Sequence, residues 1–398
     1  MNCVHSFNNS TTKYPHTGKE ILMSNPDSNT QSFIPKSVSS KALNDFFSIL
    51  KNTLSELVTA DSTLSRIGST AGLTAAELKE LGNTAFESAD RYGKTVSEYL
   101  AGVQKMYQAG IDNASQMAEL SMTAQAAGNL TAEMADNCLL AASSAYNLKG
   151  NTTELNKVLD GQNNISNHSA VSMETMAQAA TESASAASRY GVQLKELSAL
   201  AATAASETHA SGIETGNALN TIFANLQDTS DSEVTGALDS ISISMTKIEN
   251  GAEKLKTPIE LLTELAEIFP SLDSGSLAKA DILDSIGGSA YADTLSAILS
   301  NFDTYYRMLE LYSGGTGSAL QDAASSADTV SGSLTKLSNT WAATLRGFMD
   351  SDSLKTCISV LDTLLSGINS LASATGEPGF AGLSLGAYLG IKNIGKYA

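Results

Sequence analysis

Aromatic and charged residues are scarce in this chain of 398 residues. They make up 6% and 17% of the sequence, and there is a single Trp. Compact cores need large apolar side chains, whereas alanine supplies much of the apolar content here. Because alanine favours helix but buries little surface, the composition predicts an all-α protein with long or loosely packed helices rather than a dense globule.

Proline and cysteine are scarce as well. No proline occurs between Pro35 and Pro258, and this interval is rich in Ala, Leu, Glu and Met, which predicts one helix after another. The three cysteines, Cys3, Cys138 and Cys357, are far apart and lack CxxC spacing. This arrangement argues against a disulfide framework and a zinc site, and it fits a reducing cytoplasm.

Basic residues are outnumbered by acidic ones. The chain has 24 Lys and Arg against 42 Asp and Glu, which gives a formal net charge of −18. Nucleic-acid-binding proteins need basic faces that neutralise phosphates, so no nucleic-acid binding is expected. The acidic charge is dispersed, as on a solvated helix surface.

What the sequence does contain is a succession of helix signals. Thr74 with Glu77, and Thr95 with Glu98, match the capping box that begins a helix. Gly68 and Gly72 are expected to end the first long amphipathic helix. The predicted helices are 41–67, 75–91, 96–109, 114–127, 131–148, 152–159, 173–189, 194–208, 214–227 and 234–250.

A short internal echo occurs at an offset of 98 residues. Residues 89–93 read Ala-Asp-Arg-Tyr-Gly, and residues 187–191 read Ala-Ser-Arg-Tyr-Gly. In both copies the glycine is expected to end a helix in the left-handed conformation, and the next helix follows at once. We interpret the echo as a repeated structural joint; one echo does not predict a solenoid.

The residue composition changes after Pro258. A short helix closed by Pro270 is predicted, and three glycines between residues 314 and 317 suggest a boundary. Beyond it, apolar residues at spacings of three and four predict two coiled-coil-like helices. These residues are Leu334, Leu337, Trp341, Leu345 and Phe348, followed by Leu354, Ile358, Leu361, Leu365 and Ile368.

These patterns divide the chain into five predicted parts. The N-terminal segment is polar and lacks the apolar core of a signal peptide, so it is expected to be disordered. The parts are a disordered lead at 1–40, a helical core at 41–257, a helical extension at 258–316, coiled-coil-like helices at 317–375 and a Gly-rich apolar tail segment at 376–398.

The tail segment contains an uncharged stretch, 379–391, with glycines four residues apart at 382, 386 and 390. Such spacing lets helices approach closely, but the stretch is too short to span a bilayer as it stands. A buried helix, self-association through closely packed helices and a shallow host-membrane contact all fit this pattern.

No catalytic, cofactor-binding or metal site is predicted. Residues 382–386 fit the G-x-S-x-G nucleophile motif, but no histidine follows His209 to act as its base. Residues 390–396 begin like a phosphate-binding loop, yet Tyr397 replaces the Ser or Thr that would hold magnesium. The four histidines are scattered without HExxH spacing, so we expect no enzyme.

The order of several segments resembles the core region of phage tail tape-measure proteins. The resemblance begins with Leu73–Leu81, Ala85-Phe86 and Arg91–Glu98, and continues with Tyr107–Gly110 and Leu219–Leu226. Leu261–Phe269, with its LLxxLAxxF pattern, Ser300–Asp303 and Gly317–Ala319 followed by Leu334, Leu337 and Trp341 complete it. The likeness extends over roughly residues 41–372, whereas each motif alone is weak.

This resemblance implies a structural protein that sets the length of a phage or prophage tail. It implies that tail-tube subunits assemble around the protein with tail-assembly chaperones, in the host bacterial cytoplasm, and that the protein leaves the virion tail when DNA is ejected. A homo-oligomer through helices is also expected. Because members are usually longer, we expect a truncated, split or degraded prophage copy.

A secreted or surface helical effector or adhesin is the alternative function. Acidic helices rich in Ala, Ser and Thr also occur in such proteins, although the sequence contains no visible export signal. Detection of the protein in culture medium without cell or phage lysis would favour this alternative.

Overall fold

The computed structural model describes residues 40–329 and, beyond them, Thr335, Asn339, Ala342 and Ser359. Side-chain environments are described from residue 51 onward. The predicted N-terminal lead, nearly all of the coiled-coil-like stripe and the Gly-rich tail segment lie outside the described residues. The five predicted parts therefore remain predictions.

The described residues form an all-α fold with one small hairpin, as the sequence predicts. A 3-10 turn at Phe269–Ser271 follows α11, and a π-helical turn at Leu283–Gly287 joins α12 to α13. The helices are α1 Ser40–Ala71, α2 Ala75–Tyr92, α3 Val96–Gln108, α4 Ala114–Gly128, α5 Ala132–Ala145, α6 Thr152–His168, α7 Met173–Arg189, α8 Leu194–Thr208, α9 Gly212–Asn225, α10 Ser232–Ser240, α11 Pro258–Ile268, α12 Leu277–Ile282, α13 Gly288–Ser300, α14 Phe302–Ser313 and α15 Ser318–Ala327; strands β1 Thr246–Glu249 and β2 Ala252–Leu255 lie between α10 and α11.

Gly68 does not end the first helix, contrary to the sequence prediction. Helix α1 continues to Ala71, and Gly72 follows it with a φ of 68°. A Cβ atom at Gly68 would lie 2.7 Å from Cδ1 of Leu78. Gly68 therefore allows α2 to pack closely on α1, and only Gly72 provides the left-handed turn.

The capping boxes and the repeated joint are confirmed. Thr74 and Thr95 each accept the backbone N–H of the glutamate three residues later. Gly93 and Gly191 have φ values of 62° and 78°, and the residue after each donates back to the carbonyl of Ala89 or Ala187. Each joint is thus a Schellman-type cap that leads directly into the next capped helix.

The repeat extends further than the echo in sequence. Helices α7, α8 and α9 begin 98 residues after α2, α3 and α4, respectively. Their packing differs, because α9 lies mainly along α7, whereas α4 packs on α15 and α3 and makes little contact with α2, the counterpart of α7. The two copies therefore share helix lengths and helix joints, but their helices pack differently.

Helices α7 and α9 are in close backbone contact. A Cβ atom at Gly212 would lie 2.3 Å from the carbonyl oxygen of Thr175, and one at Gly216 would lie 2.8 Å from that of Ala179. The spacing of these two glycines places both on the same face of α9. The absence of side chains there brings the two helix axes together.

The predicted helix at 234–250 is wrong. Helix α10 ends at Ser240, and residues 246–255 form an antiparallel hairpin in which Glu249 pairs with Ala252. Asn250 and Gly251 occupy its turn with φ values of 54° and 80°. An Asn-Gly pair favours a two-residue hairpin turn, and this local preference overrides the helical pattern.

Other predicted boundaries also move. Helix α6 extends to His168 instead of ending at 159, and α5 ends at Ala145 instead of 148. Asn151 begins α6 by accepting the N–H groups of Thr153 and Glu154. Beyond 159, Gly161 and three asparagines continue the helix because they pack against other helices, an effect that residue preferences cannot show.

A continuous buried core joins the helices, contrary to the expectation of loose packing. It contains large side chains from widely separated elements, among them Ile67 of α1, Tyr99 of α3, Phe223 of α9 and Tyr305 of α14. Most of the buried residues of α7 and α8 are alanines. Because alanine is short, it lets helices approach one another closely, so an alanine-rich composition produces a dense core here.

Candidate functional site

Polar residues on helix α6 hold the segment from the end of α14 to α15. We call residues 314–327 the strap. The carboxylate of Asp160, which is buried, accepts the backbone N–H of Gly317 at 2.9 Å and that of Ala319 at 3.1 Å. Asp160 therefore caps the first turn of α15 from a helix that precedes it by more than 150 residues.

Further hydrogen bonds continue along the same side of α6. The side-chain amides of Asn163 and Asn167 donate to one oxygen of Asp322, at 2.8 and 2.6 Å. Asn164 donates to the backbone carbonyl of Leu311 at 2.6 Å. One face of α6 thus binds the end of α14, the intervening loop and the middle of α15.

Glycines bring the backbones together at this contact. A Cβ atom at Gly315 would lie 2.3 Å from the carbonyl oxygen of Asp160. On the facing helix, a Cβ atom at Gly161 would lie 2.4 Å from the ring of Tyr312. Neither position accommodates a side chain without movement of its neighbour.

The apolar contribution of α15 is small. It packs on α4 and α6 and buries Ala319, Ala323 and Ala327, while Leu320 remains 53% exposed. Burial of one methyl group contributes about 0.8 kcal/mol, compared with about 1.5–3 kcal/mol for a whole leucine side chain. Hydrogen bonds consequently account for much of the specificity of the strap contact.

Among the residues that the structure describes, the other titratable groups do not assemble into a site of the kind used in metal binding. Nδ1 of His168 donates a hydrogen bond to the carbonyl of Asn164, and His209 ends α8 in the left-handed conformation. Cys138 is buried, and its burial raises its pKa to about 12. No group of three or more His, Cys, Asp and Glu residues that could hold a metal occurs within the described residues.

An open cleft of about 410 Å³ lies among the beginnings of α5 and α9 and the middle of α7. Met134 and Ile213 provide its apolar surface, and Glu133 and Glu182 provide carboxylates. The other lining residues are Thr131, Asn137, Gln178 and Thr181. This mixed, open lining lacks a nucleophile paired with a base.

The hairpin has one attached and one solvent-facing side. Lys247 forms a salt bridge with Glu260 of α11, and Lys256, just after β2, forms another with Glu264 at 2.7 Å. Ile248 and Leu255 lie on the other face of the sheet and are 74% and 45% exposed. Salt bridges to α11 thus hold the hairpin in place, and the side chains of Ile248 and Leu255 are exposed on its other face.

The family model for phage-related minor tail proteins matches residues 82–288, just over half of the chain. The chain belongs to the phage-related minor tail protein family. Family membership supports a structural role in the virion tail. No solved structure matches this minor tail protein.

The match includes α3–α12 and the hairpin, together with the second part of α2 and the π-helical turn. Helix α6 therefore lies within the family region of this minor tail protein, whereas the strap lies beyond it. None of the helices between residues 40 and 329 combines the length and the hydropathy that a bilayer crossing requires.

Sequence reasoning missed the strap contact. Its one visible signal is the Gly314-Gly315-Thr316-Gly317 run, which suggested a boundary between parts of the chain. In the structure these residues pass close to α6, and Gly315 is in backbone contact with it. The partners Asp160 and Asp322 look like ordinary surface carboxylates in the sequence, because nothing local pairs them with residues so far away.

The histidines, cysteines and motifs weighed in the N-terminal and C-terminal segments lie outside the described residues. They are His5, His16, Cys3, Cys357 and the stretches 382–386 and 390–396. The same is true of the stretch 379–391, for which the sequence suggested self-association or membrane contact.

Proposed function

We propose that this minor tail protein is the tape-measure protein of a phage or prophage tail. In this role it templates the length of the tail tube, is incorporated into the virion tail and leaves the tail during DNA ejection. The family match over residues 82–288 carries the proposal, and the ordered resemblance over roughly residues 41–372 supports the tape-measure assignment. Tail-tube subunits and tail-assembly chaperones are the proposed partners.

The folded core bears on how this protein would set the length of the tail tube. A wholly helical chain of this length would reach roughly 600 Å at about 1.5 Å per residue. Residues 40–329 instead fold back, so that α15 contacts α6 and α1 contacts α3. We therefore propose that this core acts as a folded assembly module, and that length is set by extended helical sequence or by opening of the core.

A deletion series in a phage that carries this protein tests the measuring role. Removal of about four heptads from the predicted coiled-coil-like helices, 317–375, is expected to shorten tails by roughly 42 Å, measured by electron microscopy. Removal of α7–α9, which pack against one another within the core, is expected to abolish tails. Tails of unchanged length after the heptad deletion, with the shortened protein present in virions, would contradict the measuring role.

The proposed partners and release are tested separately. The protein is expected to copurify with tail-tube subunits from assembling cells and to be present in intact virions. It is expected to be lost from virions after triggered DNA ejection, which quantitative mass spectrometry would measure. Retention of the full amount in emptied virions would contradict release.

The role proposed here requires no catalysis. Its partners and actions depend on shape, surface and length, and no cofactor is proposed. A hydrolase activity of the purified protein that one point substitution removes would contradict a purely structural role.

A further inference from the structure

We propose that the strap, residues 314–327, is a releasable element that leaves helices α4 and α6 as a unit while helices α7–α9 stay folded. Three features of the contact carry this inference: its bonds are polar, its apolar burial is small, and glycines lie at its base.

The hydrogen bonds of the strap are ones that water can replace. Asp160 accepts two backbone N–H groups of the strap and also the hydroxyl of Ser318 through its backbone carbonyl. When the strap leaves, solvent reaches the carboxylate and the freed N–H groups. Opening therefore leaves no buried polar group without a partner on either side.

The apolar contacts differ sharply between α15 and α9. Helix α15 buries three alanines, and its one leucine faces outward. Helix α9 buries Leu219, Ile222 and Phe223 completely. Because loss of apolar burial dominates the free energy of opening, α15 is expected to detach far more readily than α9.

The glycines at the start of the strap favour its movement. Gly314, Gly315 and Gly317 surround Thr316, and Gly317 has a φ of 78°. Glycine gains more conformational freedom on release than other residues do, so chain entropy favours the open form. Gly315 is also held against the backbone of Asp160, so that movement of the loop and of α15 is coupled.

A second contact of the same kind lies further along the chain. The side-chain amide of Asn339 donates to the carboxylate of Asp90 at 2.8 Å and to the carbonyl of Lys94 at 2.9 Å. Opening of the strap would free residues 314–327 from the family core. That this release extends the reach of the protein rests on the proposed tape-measure function.

Hydrogen–deuterium exchange of the purified full-length protein tests the release. We expect the backbone amides of 317–327 in the wild type to exchange at least tenfold faster than those of α8, at a rate nearly independent of low denaturant concentrations. In Asp160→Ala, exchange in 317–327 is expected to rise at least tenfold further, with α7–α9 unchanged.

Asp231→Ala is the matched control. Asp231 also accepts two backbone N–H groups at a helix start, but they belong to its own helix α10. Its substitution is expected to increase exchange in α10 alone. If Asp160→Ala instead raises exchange uniformly over α7–α15, or leaves 317–327 unchanged, the strap is not an independent unit and the proposal fails.

A cross-link separates this inference from the proposed function. Asn163→Cys and Asp322→Cys, joined by a short bismaleimide with Cys3 and Cys357 replaced by serine, should slow exchange of 317–327 at least tenfold. If the cross-link forms without slowing this exchange, the strap proposal fails whatever the protein does in the tail. Slowed exchange together with unaltered tail length in the heptad deletion would support the strap and contradict the tape-measure role.

Discussion

The hydroxyl of Tyr146 donates a hydrogen bond to the backbone carbonyl of Val192 at 2.8 Å. Tyr146 ends α5, and Val192 lies in the joint between α7 and α8. The hydroxyl of Ser188 returns a bond to the carbonyl of Ala145 at 2.6 Å. Two helix joints that are distant in sequence are therefore fixed to each other by reciprocal bonds.

Substitution of Tyr146 by Phe should lower stability without changing the fold. The variant keeps the ring but leaves the carbonyl of Val192 without this donor, which costs about 0.5–1.5 kcal/mol. Urea unfolding followed by circular dichroism measures the change. Tyr306→Phe is the control, because Tyr306 is half exposed and its loss is expected to stay within about 0.5 kcal/mol. Equal effects of the two variants would contradict a role for the Tyr146 bond.

Substitution of Gly216 by Ala should push α9 away from α7. The new Cβ would meet the carbonyl oxygen of Ala179 at 2.8 Å, and overpacking of this kind costs about 1–3 kcal/mol. Gly236→Ala in α10 is the matched control, since no atom lies within 4 Å of its new Cβ. This control should gain about 0.5–1 kcal/mol through helix preference. Thermal unfolding with opposite shifts for the two variants is the expected result.

The carboxyl of Asp136 should make stability fall as pH rises. Burial raises its pKa, although the hydroxyl of Ser121 and the ammonium of Lys105 act in the opposite direction. A raised pKa means that the folded state binds more protons than the unfolded state above the ordinary value of 3.8. The contribution therefore declines from pH 3.8 up through the raised pKa, and Asp136→Asn should remove this decline from unfolding curves.

Asp228 provides a control of opposite sign. Hydrogen bonds from Ser230 lower the pKa of this exposed carboxyl. Its stabilising contribution is present above pH 3.8 and is lost as pH falls through the lowered pKa. Asp228→Asn should consequently remove a rise in stability with pH. Slopes of the same sign at the two sites would contradict the assigned environments.

The thiol of Cys138 should react only when the core unfolds. The residue is buried, and its pKa of about 12 leaves almost no thiolate at neutral pH. Iodoacetamide labelling, read by mass spectrometry of the peptide that contains Cys138, should be negligible in native buffer and complete in denaturant. Rapid native labelling of this peptide would show that the packing around α5 opens on its own.

The sequence by itself determined the helical class and much of its local detail. Thr74, Thr95 and Gly93 define helix ends through bonds to residues no more than five positions away, so their roles are visible in the sequence. The Asn250-Gly251 turn is equally local, and its preference for a hairpin turn outweighs the helical pattern of the residues around it.

Only the tertiary structure decided which residues join distant parts of the chain. Asp160 with the start of α15, Tyr146 with Val192, and Gly216 with Ala179 meet because helices fold back on one another. In each interaction, helix packing and not the neighbouring sequence decides which groups meet. An acidic residue or a glycine has the same local preferences whether it faces solvent or another helix. The pairing of the strap with α6 and the packing of the core therefore could not be predicted from the sequence, whereas the helices that build them could.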